Sequence, residues 1–325
     1  LRVKARALWY VAPGIAELRE EVLPPRAPDQ ALVRMLASGV SRGTERLVLA
    51  GGVPASQWPV MRAPLMAGAF PFPVKYGYAA VGVVEAGPAA LAGRRVFVLH
   101  PHQDRFLAPA AMCIPVPDAV PDHRAVLAAN METALNILWD ARPLAGERAL
   151  VIGAGIVGLL SAALLGRIPG IDLAVCDVDA GRAALAAAFG AQVTSPASAP
   201  AEREVIIHAS ATAAGLQLAL RLAGFEARII EASWHGDREV ALPFGEAFHA
   251  RRLSIISSQV GAVAPAMRGR RSHAERLALA LALLDDARLD ALVAPVAMFA
   301  DSAAVLPGLL AAASDGPPCP VVTYG

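Results

Sequence analysis

Residues 148–166 read RALVIGAGIVGLLSAALLG. From Ala149 to Gly166 there is no charge over 18 residues, a length at which a membrane span has to be considered. Two features argue for a different reading. Four glycines (Gly153, Gly155, Gly158 and Gly166) interrupt the run, and it opens with a β-like ALVI rather than with helix formers. A buried strand, a tight turn and a buried helix account for the pattern. That order of elements is the start of an α/β unit.

The turn Gly153-Ala-Gly155-Ile156-Val157-Gly158 spells G-x-G-x-x-G between a strand and a helix, the context in which the motif carries meaning. Gly153 permits the tight turn, Gly155 lets backbone approach a pyrophosphate, and Gly158 lets the helix pack on the strand. The anion sits at the helix N-terminus, at Ile156 and Val157, where free N–H groups and the helix dipole favour negative charge. An acidic residue is expected at the end of the next strand. Asp177, in AVCDVD, lies 22 residues after Gly155. Its carboxylate would accept from the ribose hydroxyls and repel a 2′-phosphate, so NAD is expected over NADP. Asp179 is the better N-cap for the following helix. Arg182 is placed to cover the adenine or to rescue NADP binding.

Outward from this turn the chain alternates. Helix composition over Ala125–Ala141 precedes strand Arg148–Ile152, helix Ile156–Arg167, strand Asp172–Cys176 and helix Ala180–Phe189. A short strand near Gln192–Thr194, strand Glu204–Ala209 and helix Ala213–Ala223 follow, then strands Ala227–Glu231 and Leu253–Ser257. Strands alternating with helices of this length predict a doubly wound parallel sheet. The segment before it is dense in Gly and Pro and has short β-like runs: Val3–Tyr10, Gln30–Leu36, Ala79–Glu85 and Arg95–Leu99. That texture predicts an irregular β-barrel-like domain with few helices. The basic stretch 268–273 reads as a solvated loop before helix Ala274–Leu284. Residues 286–325 are too few for a core of their own and are expected to complete the first domain. The predicted division is 1–121 with 286–325, and 122–285.

Composition bounds the rest. At 325 residues about two domains are expected, and 56% hydrophobic with 18% charged residues excludes a disordered chain. Lys+Arg is 29 and Asp+Glu 28, so no net field attracts nucleic acid. Cys113, Cys176 and Cys319 are scattered, with no C-x-x-C pair and no disulfide framework. The first residues lack the long apolar core of a signal peptide. A soluble, cytoplasmic protein with a small-molecule substrate and no membrane partner is expected.

An irregular β domain, a Rossmann domain and a returning tail resemble the medium-chain dehydrogenase/reductase superfamily, whose first domain is a GroES-like barrel. Local segments support the resemblance along nearly the whole chain. Ser38-Gly-Val-Ser41-Arg42-Gly-Thr44-Glu45 is similar to its C-G-x-C-G-T-D. Tyr76-Gly-Tyr78-Ala-Ala-Val-Gly82 is similar to its G-H-E-x-x-G. Gly93-Arg-Arg-Val resembles G-D-R-V, and Glu132-Thr133-Ala134 resembles the helix start beside the nicotinamide. In zinc-dependent members the metal is held at positions that match Ser41, Tyr78 and Ala129 here, none a usual zinc ligand. The four-cysteine lobe is absent too, so no zinc is expected at either site. S-G-x-S-x-G-T-E followed by G-Y is similar to the zinc-lacking bacteriochlorophyllide a dehydrogenase branch, which oxidises a 1-hydroxyethyl group on a chlorin with NAD. This chain has Ala79 where that branch has Glu.

The resemblance implies hydride transfer to or from a secondary alcohol or carbonyl, with hydrogen-bond donors replacing the metal. Tyr78 stands near the vacated position and would orient or protonate the oxygen, with Ser41 and Thr44 relaying a proton. His100, in His100-Pro-His102, follows a strand that borders the substrate pocket in the family and titrates near neutrality in its unperturbed form. Arg42 is expected on the pyrophosphate, and Thr133 and Ser210 beside the nicotinamide and riboses. Ser233-Trp234-His235 would reach the nicotinamide end, His208 reads as a buried, hydrogen-bonded strand residue, and Glu132 is the nearest carboxylate. The segment 50–72, with Trp58, Met61, Met66 and Phe70, either lines the pocket, which suggests a bulky or lipophilic substrate, or belongs to the core. A homodimer built on the last strand of the parallel sheet is expected. The alternatives are a zinc-free quinone or enoyl reductase, and a non-catalytic dinucleotide-binding protein.

Overall fold

The computed structural model describes residues 3–312 and 316–325; Leu1, Arg2 and residues 313–315 of the tail lie outside the described residues. The chain divides into two compact units, Leu1–Ala129 with Leu277–Gly325, and Asn130–Arg276.

The second unit is built on a six-stranded parallel sheet. Its order is Gln192–Thr194, Asp172–Cys176, Arg148–Ile152, Arg203–His208, Ala223–Glu231 and Ser254–Ser257. Numbered along the chain, these strands run 3-2-1-4-5-6, the doubly wound arrangement of a Rossmann domain. Ala149–Ile152 and Val205–His208 are buried throughout because helices cover the sheet, which is why these strands read as continuous apolar runs rather than alternating ones. The helix Ile156–Leu165 buries Leu159, Leu160, Leu164 and Leu165. At roughly 1.5–3 kcal/mol per fully buried side chain, this face fixes the helix on the strand before it. The uncharged run is therefore a strand, a turn and a ten-residue helix. Among the described residues no helix is long and apolar enough to cross a membrane.

The first unit is mostly β. One sheet runs Val293–Met298, Cys319–Thr323, Gln30–Gly39, Ala80–Ala86, Arg95–Val98 and Ile114–Pro115, with Arg105–Pro109 also paired to Gln30–Gly39. A second sheet joins Ile15–Val22, Lys4–Ala12, Val74–Lys75 and Ala67–Gly68. Cys319–Thr323 pairs antiparallel with Gly39, Ser38 and Ala37, so the tail completes this unit. Its core gathers Leu8, Tyr10, Val48, Met66, Phe70 and Phe299.

Several elements depart from the sequence reading, among them the expected helix Ala180–Phe189, which is α-helical over Ala180–Ala184 and 3-10 over Leu185–Phe189. The helix expected over Ala125–Ala141 is split into Asp122–Ala125 and Ala128–Ala141. The β segment carries a helix, Arg42–Leu49, that Gly43 and the short span had hidden. Its hydrophobic residues face the core through Val48 and Leu49. Glu45 stabilises its start by accepting from the Ser41 backbone N–H at 2.8 Å, a carboxylate at a positive helix end.

Candidate functional site

In the second unit the glycine turn lies between strand Arg148–Ile152 and helix Ile156–Leu165. Gly153 has φ +105, and a Cβ there would meet the Ser210 backbone N at 2.7 Å. A Cβ on Gly158 would meet the Gly153 carbonyl oxygen at 1.9 Å, so helix and turn touch backbone to backbone. Gly155 differs: a Cβ there meets nothing within 4 Å. Two glycines are required by packing, and the third leaves open space in front of the N–H groups of Ile156 and Val157. This cradle fits a pyrophosphate.

Asp177 follows strand Asp172–Cys176 and is tied to the turn. Its Oδ2 accepts from Ala154 N at 2.6 Å and its Oδ1 from Asp179 N at 2.8 Å. Each oxygen keeps a lone pair for a ribose hydroxyl. Asp179 caps the next helix by accepting from Gly181 N and Arg182 N. Arg182 stands in the first turn of that helix and is partly exposed. Thr133 is half-buried on helix Ala128–Ala141. Its neighbour Glu132 is committed to structure: Arg276, buried, donates to it at 3.0 Å and also to Asn136 Oδ1 at 2.6 Å. Burial pushes the Glu132 carboxyl up, against the pull of Arg276.

At the C-terminal ends of two neighbouring strands His208 pairs in register with Glu231. The His208 Nδ1 lies 2.8 Å from Glu231 Oε2, and His208 Nε2 lies 2.8 Å from Ser210 Oγ. Ser210 Oγ is 2.9 Å from Thr212 Oγ1, and His235 Nε2 is 3.5 Å from Glu231 Oε2. Burial pushes the Glu231 carboxyl up, but hydrogen bonds from His208 and the Ser233 N–H outweigh it and leave the group below its ordinary range.

In the first unit the hydroxyls of Tyr78 and Thr44 are 3.2 Å apart, with Tyr78 donating. Burial pushes the Tyr78 phenol up to about 12, although hydrogen bonds with Ser41 and Thr44 pull it down. The Tyr78 hydroxyl therefore stays protonated at neutral pH. Ser41 precedes helix Arg42–Leu49 and Thr44 lies in its first turn, so the sequence-predicted Ser41, Thr44 and Tyr78 come together. These hydroxyls and the Ala129 methyl do not make a zinc ligand set, which needs thiolate, imidazole or carboxylate.

Beside them lies a buried network that sequence reasoning missed. Glu45 Oε2 accepts from Tyr10 OH at 2.8 Å and lies 3.0 Å from His102 Nε2. His102 Nδ1 lies 2.7 Å from Ser38 Oγ, which is 3.0 Å from Tyr324 OH. Glu45 and His102 are both almost wholly buried. The available signal was an acidic residue in the same motif, one position after Thr44.

Three expectations change. His100 is not placed as an acid/base group: its ring stacks on Phe106 at 3.7 Å and its Nδ1 lies 2.9 Å from the Pro101 carbonyl oxygen. Burial pushes its pKa down to about 3, so it is neutral near pH 7, and the neighbouring His102 holds the network instead. Arg42 is not turned out to an anion. Its guanidinium donates to the carbonyls of Ala312 at 3.0 Å, Pro317 at 3.4 Å and Leu309 at 3.5 Å, at the end of helix Ser302–Ala311. Of the apolar segment 50–72, Met66 and Phe70 are core, Met61 packs against that core, and Trp58 keeps 36% exposure.

The two units together have the two-domain fold of the alcohol dehydrogenases. A short chain alcohol dehydrogenase of Escherichia coli CFT073, solved with NADH, is 18% identical with a TM-score of 0.80, covering 99% of both chains. L-idonate 5-dehydrogenase of Escherichia coli is 14% identical with a TM-score of 0.81, over 100% of this chain and 99% of that one. A thermostable alcohol dehydrogenase of Pyrobaculum aerophilum is 18% identical with a TM-score of 0.78, over 99% of this chain and 100% of that one. No protein-family model matches the chain, and no curated protein matches it in sequence.

Proposed function

We propose that the chain is an NAD(H)-dependent oxidoreductase of the medium-chain dehydrogenase/reductase type that moves hydride to or from a secondary alcohol or carbonyl without zinc. The observation that carries this reading is the Tyr78–Thr44 hydroxyl pair, with Tyr78 and Ser41 standing in the motif positions that resemble the superfamily's metal-ligand positions. The glycine turn, with the N–H groups of Ile156 and Val157 and the Asp177 carboxylate, would hold NADH, which would supply a hydride for the carbonyl carbon. Tyr78 donates a hydrogen bond to the carbonyl oxygen. As the C=O pair moves onto that oxygen, Tyr78 gives it its proton, and Thr44 and Ser41 return a proton from solvent to the phenolate. In the reverse direction the phenolate must take the alcohol proton. With Tyr78 at about 12, that form is scarce at neutral pH, so alcohol oxidation is expected to accelerate as pH rises.

Asp177 at the turn supports NAD over NADP, with Thr133 and Ser210 lining the riboses and nicotinamide. A bulky apolar substrate, a hydroxyethyl chlorin among them, is the class that the motif resemblance favours. The exposed edge at Ser254–Ser257 supports a homodimer formed by extending the parallel sheet, readable by light scattering.

The test is turnover with NADH or NAD on ketones, secondary alcohols, a hydroxyethyl chlorin, quinones and enones, for the native chain and Tyr78→Phe. A fall in kcat of about 10²-fold or more in Tyr78→Phe, with NADH affinity unchanged, is expected. Unchanged kcat removes Tyr78 as the donor. Turnover confined to quinones or enones makes the chain a quinone or enoyl reductase. Tight NADH binding with no turnover on any class supports a non-catalytic dinucleotide-binding protein.

A further inference from the structure

We propose that His208, Glu231 and His235 form a binding site for one divalent cation of the zinc, cobalt and nickel class. Among the described residues, theirs is the group of metal-binding side chains whose donor atoms all lie within 4.8 Å of one another. Glu231 Oε2 stands 2.8 Å from His208 Nδ1 and 3.5 Å from His235 Nε2. A metal with ligands at 2.0–2.2 Å holds them about 3.3 Å apart in a tetrahedron; the His235–Glu231 pair stands near that spacing, and the His208 ring, now hydrogen-bonded to both carboxylate oxygens at 2.9 and 2.8 Å, would draw back by about half an ångström to admit the ion. Two imidazoles with one carboxylate suit zinc or its neighbours, whereas calcium and magnesium take oxygen ligands throughout.

The surrounding shell is also in place. Ser233 N donates to Glu231 Oε1 at 2.7 Å and orients the carboxylate. Ser210 Oγ contacts the far nitrogen of His208 at 2.8 Å, the second-shell bond that fixes the tautomer of a metal-bound imidazole. On binding, the His208 Nδ1 proton gives way to the metal, and Nε2 carries the ring proton, donated to Ser210. Three protein ligands leave at least one position for water. The cation would tie the segment after strand Ala223–Glu231 to the sheet end, where Ser210 packs on Gly153. This site lies in the second unit and is independent of the zinc-free reading of Ser41, Thr44 and Tyr78.

The test uses the whole chain, stripped with chelator and dialysed, then titrated with Co2+ by visible absorption and with Zn2+ by competition against a zinc-binding dye. One ion per chain is expected, with zinc displacing cobalt and raising Tm. In His235→Ala and Glu231→Gln the affinity falls by at least tenfold and the rise in Tm is lost, whereas His123→Ala binds as the native chain does. His235 lies on an irregular segment, and His235→Asn serves if His235→Ala fails to fold. Absence of saturable binding below millimolar concentrations, or equal affinity in the His235 and Glu231 variants, overturns the site. Metal binding is read directly, so the result does not depend on turnover.

Discussion

Gly155→Ala separates a glycine kept for the cofactor from one kept for packing. Gly155 has φ −73 and ψ 177, a conformation alanine adopts without strain, and a Cβ there meets nothing within 4 Å. Its carbonyl still accepts from Leu159 N at 2.9 Å, so the first helical bond survives. Alanine is a poorer N-cap than glycine by about 0.5–1 kcal/mol, while the stiffer unfolded chain returns about 0.4–1 kcal/mol. Stability is therefore expected to stay within about 0.5 kcal/mol of the native chain. The new methyl, however, occupies the space in front of the helix N-terminus. An anion pushed back from those N–H groups loses at least one charge-assisted hydrogen bond, about 1.5–3 kcal/mol, and so a Kd about ten- to a hundredfold weaker.

The assay is NADH fluorescence titration beside urea unfolding, with Gly158→Ala as contrast. In Gly158→Ala the Cβ lies 1.9 Å from the Gly153 oxygen, far inside the 3.4 Å where ordinary contact begins. Overpacking against backbone is expected to cost about 1–3 kcal/mol of stability as well as binding. If Gly155→Ala binds NADH within twofold of the native chain, the turn is not the pyrophosphate seat. If it unfolds as easily as Gly158→Ala, the open space has been misjudged.

Two further tests follow from the same geometry. Asp177→Ala removes the acceptor of Ala154 N and the charge facing the ribose; NADH affinity falls and the NADH/NADPH preference shifts by at least tenfold toward NADPH, read by paired titrations, and an unchanged ratio refutes the role. His100 is held neutral, its pKa pushed from 6.5 down to about 3, so its contribution to stability is whole above pH 6.5 and is lost as pH falls toward 3. Urea unfolding between pH 7 and 4 should lose up to about 1.4 kcal/mol per pH unit from this group. His100→Gln should flatten that slope and leave the pH–rate profile near neutrality without a change in its limbs; an equal slope in both chains refutes it.

The parallel unit was legible because its determinants are local. Apolar runs of strand length, the glycine turn and the helix pattern each occupy one stretch of chain, and strands Arg148–Ile152 and Asp172–Cys176 have the bounds the sequence predicts. The first unit was harder to read because its elements are paired at long range. The helix Arg42–Leu49 is short and contains Gly43, and its stability comes from Val48 and Leu49 in a core drawn from distant segments. Cys319–Thr323 becomes a strand through partners at Gly39, Ser38 and Ala37. Proline-containing sequence of this kind carries little period of its own.

The same distinction governs the sites. Motif positions were enough to bring Ser41, Thr44 and Tyr78 together, yet of the two nearby histidines the one chosen, His100, packs on Phe106, and it is His102 that is hydrogen-bonded to Glu45. His100 and His102 are both buried and two residues apart; what separates them is Phe106 stacked on the first, and Ser38 and Glu45 on either side of the second. No local pattern encodes that choice. His208 is the buried, hydrogen-bonded histidine that its place in an apolar strand predicts; only its partner went unread. Parallel register sets it opposite Glu231, a residue 23 positions on, and the bend after that strand returns His235 to the same carboxylate. An imidazole inside an apolar strand needs a partner, and the residue at the same level of the neighbouring strand is the first place to seek one. Applied to EVIIHAS and ARIIEAS, where His208 and Glu231 each follow two isoleucines and precede Ala-Ser, that rule pairs them from the sequence alone.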